Sequence, residues 1–264
     1  TKNLTRTKLQ TVSIKLNRGQ TYSVTAEGKS GSQHLTGTVI KSSKPIAVTI
    51  KDDSVYGNPC LDMVGDQLVP IDRIGSEYIV MKGRLNIDEY FIVLASENGT
   101  KLEISGSNGK STRNLNAGGS IQWKMATATY YIKSNKPIYV FHLSGFGCEM
   151  GGALIPPLEC SGAREVSFVR SSSESLFLNI VAKNGDEDEF EFNGSTGLIK
   201  ASDFTTVPGT SNWKSVQLEV KTSDLRTGTL GKVINKKSRF QLGVINGGTS
   251  SGTKYGYFSP FSSL

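Results

Sequence analysis

Oxygen donors come first among the residues that could do chemistry. Asp52, Asp53, Asp62 and Asp66 crowd into one stretch of chain, and loop carboxylates with neighbouring backbone carbonyls are what calcium takes as ligands. Their spacing is not that of a helix–loop–helix calcium site. The four are read as candidate ligand-binding residues, with calcium as the one ion that suits them. No other metal and no cofactor is expected. The chain has two histidines, His34 and His142, and no Cys/His spacing of the zinc-binding kind. His142 lies inside an apolar run and is expected to be a strand residue with a satisfied ring. No nucleophile elbow, phosphate loop or dinucleotide fingerprint precedes a helix. No catalytic residue is assigned, and no enzymatic activity is expected.

Three cysteines, Cys60, Cys148 and Cys160, are present. Cys148 and Cys160 stand 12 residues apart across a Gly/Pro-rich connection and are expected to form a local disulfide. Cys60 is then left single, buried or paired outside the chain. A disulfide implies an oxidising compartment, with two buried free thiols as the competing reading.

Thirty Lys and Arg against 23 Asp and Glu give a net charge of +7. The basic residues are scattered, and the densest group (Lys232, Lys236, Lys237 and Arg239) sits at one turn without interleaved aromatics. Nucleic acid is therefore not expected as a partner, and the charge reads as soluble surface. No stretch reaches the roughly 18 consecutive apolar residues of a membrane helix, so direct membrane insertion is not expected. The opening Thr1-Lys2-Asn3-Leu4-Thr5 has no signal-peptide core, as in a mature or trimmed chain. Asp186-Glu187-Asp188-Glu189 reads as a charged edge strand. Trp123, Tyr130, Tyr131, Trp213, Tyr255 and Tyr257 would form a sugar-stacking platform if exposed. Trp123 and Trp213 occupy similar places in successive repeats, which favours core packing. Three glycosylation triplets, at Asn3, Asn98 and Asn193, carry little weight, because two of them are turn signals in their own right.

The elements that must position these residues read as strands. Lys101-Leu102-Glu103-Ile104-Ser105 alternates apolar and polar, as does Ser215 to Val220. Asn98-Gly99 and Asn184-Gly185 are strong hairpin signals of the type I′ kind. No helix is expected. A turn between two strands recurs: Ile40-Lys41-Ser42-Ser43-Lys44-Pro45-Ile46-Ala47-Val48 returns at Ile132 to Val140, and in worn form at Ile234 to Leu242. The strands Ile46 to Ile50 and Ile138 to Leu143 that follow are expected to be buried. Gln67-Leu68-Val69-Pro70 before Glu77-Tyr78 matches Ala153-Leu154-Ile155-Pro156 before Glu165-Val166, and Cys60 corresponds to Cys148. The expected fold is therefore all-β: three related antiparallel repeats of about 90 residues, at 1–84, 85–172 and 173–264. Tandem β-sandwich units packed as one body are the expectation, and a single closed pseudo-threefold or propeller-like domain is the alternative.

The segment Leu35 to Val48, with Cys60-Leu61-Asp62, Gly65 to Pro70 and Gly75-Ser76-Glu77-Tyr78, resembles the IgGFc-binding protein N-terminal domain. The second copy, Gly145-Phe146-Gly147-Cys148-Glu149-Met150-Gly151-Gly152-Ala153-Leu154-Ile155-Pro156-Pro157, is similar to bacterial members of that family. Those commonly sit in large secreted proteins with gliding-motility-associated sorting domains. Lys254-Tyr255-Gly256-Tyr257-Phe258-Ser259 resembles the family's closing segment. The resemblance implies an extracellular, non-catalytic adhesion or binding role at the cell surface. The implied partner is a glycoprotein, a glycan or a neighbouring surface protein. A carbohydrate-binding or polysaccharide-active β-sandwich protein, or a structural repeat of an extracellular filament, are the alternatives. The connections at residues 51–66 and 143–163 interrupt the strand pattern most and are the expected place for a ligand.

Overall fold

Period-two burial is what the alternating segments predict, and residues 100–104 show it: Thr100, Leu102 and Ile104 are buried, while Lys101 is exposed and Glu103 half-buried. The computed structural model describes residues 11–26, 28, 34–57, 60–159 and 161–261, and of residues 53, 54, 56, 57, 60 and 61 the backbone alone. The fold is all-β, with antiparallel pairing throughout apart from one short parallel contact. A hairpin of β1 (Thr49–Gly57) and β2 (Cys60–Gln67) comes first.

The first lobe contains β3 (Gly75–Met81), β4 (Arg84–Leu85), β5 (Tyr90–Ala95), β6 (Thr100–Gly106), β7 (Gly109–Leu115), β8 (Ser120–Lys124), β9 (Thr129–Gly147) and β10 (Glu149–Leu154). These strands form one sheet folded over itself, because β9 belongs to both halves. Its first part pairs with β3 and β6, and its second with β5 and β10. Tyr78, Val80, Phe91, Leu102, Ile132 and Val140 fill the space between the halves. Fully burying side chains of this size contributes about 1.5–3 kcal/mol each.

The second lobe contains β11 (Glu165–Val169), β12 (Ser175–Lys183), β13 (Phe190–Phe192), β14 (Thr205–Thr206), β15 (Trp213–Glu219), β16 (Leu230–Asn235), β17 (Gln241–Gly247) and β18 (Thr253–Tyr257). Sheets β11-β16-β13 and β14-β15-β12-β17-β18 enclose Leu178, Ile180, Phe190, Val233, Phe240 and Leu242. The two lobes pair their strands alike. The β3–β9, β6–β9, β5–β9, β5–β8 and β9–β10 ladders of the first return as β11–β16, β13–β16, β12–β17, β12–β15 and β17–β18 of the second. The positions 84/85 and 172/173 fall within β4 and between β11 and β12. Each time the strand before that point, β3 or β11, pairs with one after it.

Three local expectations need correction. Lys133 to Pro137 is not a turn but an irregularity inside the continuous β9, where the register against β3 shifts between Gly75 and Glu77. Pro137 lacks an N–H, and side chains hold the backbone there instead: Ser96 Oγ donates to Pro137 O and Ser134 Oγ to Lys136 O, both at 2.5 Å. Only in the second lobe does this place open into a turn, with Asn235 Oδ1 accepting from Lys237 N and Ser238 N. Second, Asn98-Gly99 and Asn184-Gly185 are turns but not hairpins. They carry the chain from β5 to β6 and from β12 to β13, strands that do not pair with each other, and only the glycines have positive φ. Third, the strand expected from Ile46 begins only at Thr49, and Ile46 is 54% exposed. Among the described residues no third strand extends the β1–β2 hairpin, and two strands alone bury little.

Side chains tie the lobes together. Gln217 Nε2 donates to Lys82 O at 2.9 Å, and Gln241 Nε2 donates to the carbonyls of Pro156 and Pro157. The Arg84 guanidinium lies 4.4 Å from the centre of the Phe177 ring. Phe146, Phe177, Ile245 and Tyr255 form a small core of their own across the seam.

Candidate functional site

The two stretches expected from sequence to interrupt the strand pattern, 51–66 and 143–163, are instead largely strand, the β1–β2 hairpin and the β9–β10 hairpin, and they lie side by side. Strand β10 bonds to β9 along one edge, which leaves the N–H groups of Met150 and Leu154 directed away from it. A bare strand edge is a liability unless something covers it, and the β1–β2 hairpin does so with side chains. Asp62 Oδ2 accepts from Met150 N at 2.9 Å and Asp66 Oδ2 from Leu154 N at 2.8 Å. Between them Val64, 4% exposed, lies over Gly152. A β-carbon at Gly152 would stand 2.4 Å from the Phe141 ring and 3.1 Å from the Val64 β-carbon, so the hairpin requires glycine there.

Asp52 is paired with Val64 across the hairpin and so shares the face of Asp62 and Asp66. Asp53 falls among the side chains outside the described residues. The structure thus brings three of the four candidate aspartates to one face, and Asp62 and Asp66 are turned toward backbone donors. Asp66 Oδ1 also accepts the N–H of Gln67 at 2.7 Å. Among the described residues no three His, Cys, Asp or Glu side chains gather as a metal site. Cys148, at the β9–β10 bend, is disulfide-bonded. Its expected partner, Cys160, lies outside the described residues, as does the triplet at Asn3.

The only arrangement with the outline of acid–base chemistry among the described residues was not foreseen as a group. His142 Nδ1 is 2.8 Å from the hydroxyl of Tyr255, and its Nε2 is 2.8 Å from Glu89 Oε1, though poorly aligned for a hydrogen bond. Gly83 N donates to the same carboxylate oxygen at 2.5 Å. Burial above all, then the neighbouring Tyr257 and Glu89, pushes the Tyr255 hydroxyl well above its ordinary pKa. It therefore keeps its proton and shares a hydrogen bond with Nδ1, while Nε2 faces Glu89. Glu89 and His142 are 0% exposed. A general acid or base must reach a substrate, and this one is sealed in the seam between the lobes, where it joins β18 to β9. A buried histidine was legible in the sequence; its partners come from residues 53 before and 113 after it.

Other candidates resolve simply. Tyr130 and Tyr131 are 2% and 5% exposed and belong to cores, and Trp123 packs against the first. The run Asp186 to Glu189 is turn rather than strand, and its carboxylates take up lysines, Glu187 pairing with Lys214 and Asp186 with Lys237. Asn193-Gly194, read chiefly as part of a glycosylation triplet, is the tight hairpin turn. Both residues have positive φ (49° and 82°), and Phe192 and Ser195 exchange backbone hydrogen bonds.

Among the described residues no helix is long and apolar enough to cross a membrane. No curated protein matches the chain. The model of the family described as IgGFc binding protein matches residues 1–246. That span includes the β1–β2 hairpin, the whole first lobe and the second lobe through β16 and nearly all of β17. By that match the chain belongs to the IgGFc binding protein family.

Proposed function

We propose that this chain is an extracellular, non-catalytic adhesion or binding module of a secreted or cell-surface protein. Its partner would be a glycoprotein, a glycan or a neighbouring surface protein. Membership of a family named for binding, across residues 1–246, is the observation that carries the reading. The architecture supports it. Two lobes of like pairing are locked by buried polar contacts, and a braced hairpin pair stands beside them, so loops are presented on a rigid frame. The buried Glu89–His142–Tyr255 group serves that frame rather than chemistry. The likeness of residues 145–157 to bacterial family members extends the reading to an exported bacterial surface protein of the gliding-motility-associated type.

The test is an array of glycans, mucins and immunoglobulins probed with the purified chain, with and without calcium. Saturable capture by at least one extracellular ligand is the expected result. Calcium dependence would place the aspartate face in the site, and silence across the array would count against the proposal.

A further inference from the structure

The basic group at the β16–β17 turn acquires partners that lie far from it in sequence. Lys237 and Arg239 from that turn, Arg164 ahead of β11 and Lys183 at the end of β12 line one open cleft of about 410 Å³. This is within the range of small-ligand sites. Trp213, which opens β15 and is half-buried, is the aromatic of the lining, and Ser238 adds a hydroxyl. The cleft sits where the 143–163 connection enters the second lobe.

Most nearby carboxylates are engaged outside the cleft. Glu187 pairs with Lys214, Glu191 with Lys236, and Glu165 with Lys232 at 2.7 Å. Glu159 turns the other way and accepts from Ser76 and Glu77. Asp186, by contrast, meets the lining residue Lys237 at 3.2 Å, and Asp188 and Glu189 also act on that lysine. Among the described residues no ion pair is formed by Arg164, Lys183 or Arg239. Like charges gathered in a concave site repel one another and raise the local concentration of anions. Arginine forks match the planar or tetrahedral oxygens of carboxylate and sulfate. A single aromatic suits one ring with an apolar face, whereas a nucleic-acid strand calls for an extended groove with repeated stacking platforms.

We propose that this cleft binds an anionic saccharide, with the sugar ring against Trp213 and its sulfate or carboxylate held by Arg164 and Arg239. The proposal rests on the reading of the chain as an extracellular binding module and names a ligand class for it. Calorimetric titration of the full chain with a chondroitin sulfate tetrasaccharide, 3′-sialyllactose and neutral lactose tests it. Saturable binding of one or both acidic sugars is expected, and which of them binds identifies the acid group. Lactose should bind at least about tenfold more weakly, as expected for loss of charge-assisted contacts. The double variant R164S/R239S, at two exposed positions, should lose about tenfold or more. K101S/K200S carries the same charge change outside the cleft and should stay within about twofold. Equal loss in both double variants, equal binding of lactose, equal binding of a short polyglutamate, or no binding of either acidic sugar would overturn the proposal. Capture on mucin or immunoglobulin separates the two claims. If wild type and R164S/R239S are captured alike, the module reading stands and the cleft assignment falls. If neither is captured by anything, the module reading falls with it.

Discussion

Asp62 reaches across from β2 and accepts the backbone N–H of Met150 at 2.9 Å. Four residues on, Asp66 does the same for Leu154, so two carboxylates cap the open edge of β10 as a third strand would. Removing either leaves a part-buried N–H without its acceptor. Asp62→Ala and Asp66→Ala should each cost about 1–3 kcal/mol, read from urea denaturation. Unchanged stability in both would show that these aspartates do not brace the hairpins.

That register also bears on the cysteines. Asp62 meets Met150, Val64 covers Gly152, and Asp66 meets Leu154. Carried two residues back, the same spacing sets Cys60, the first residue of β2, level with the disulfide-bonded Cys148. Peptide mapping without reduction should find Cys60 linked to Cys148. A Cys148–Cys160 peptide, the pairing that sequence proximity favours, would contradict the register argument.

Tyr255 supplies the hydrogen-bond partner of His142 Nδ1 inside the seam. Tyr255→Phe keeps the ring and its packing but leaves a buried ring nitrogen unpaired, at an expected cost of about 1–3 kcal/mol. Because the group is sealed from solvent, ligand binding by the folded variant should not change. A variant as stable as wild type, or one that folds normally and loses binding, would show that the hydroxyl does something other than hold β18 to β9.

Glu187 gives a pH signature. Its hydrogen bond from Lys214 holds the carboxyl below the usual glutamate value, with burial opposing. The folded protein therefore takes up this proton only at lower pH than the unfolded chain. The contribution is complete above the ordinary value, about 4.3, and is lost as pH falls through the lower folded value. The melting-temperature gap between wild type and Glu187→Gln should be widest near neutral pH and close below about pH 4. A gap independent of pH would mean that the ion pair is not its source.

Much of the frame was legible in the sequence, because strand burial has a period of two and the repeat carries it twice over. Ile132 to Val140 and Ile234 to Leu242 do lead into equivalent strands. Local signals misled where tertiary pairing decides: Asn98-Gly99 turns the chain between the halves of a folded sheet, while Asn193-Gly194 makes the hairpin. Lys133 to Pro137 looks like its turn-forming counterpart at 235–239, yet β3 and β5 clamp it into one long strand. The cleft was illegible for a different reason. Arg164, Lys183, Trp213 and Arg239 come from separate segments, and no spacing along the chain announces that they converge.

The most direct measurement of the central claim is a titration of the folded chain over an immobilised mucin at physiological salt, with the mucin's glycans released and weighed afterwards by mass spectrometry. A binding module should give a saturable, reversible isotherm and leave the glycans at their original masses. Signal that rises without a plateau, or glycans recovered with altered mass, would contradict a non-catalytic binding role.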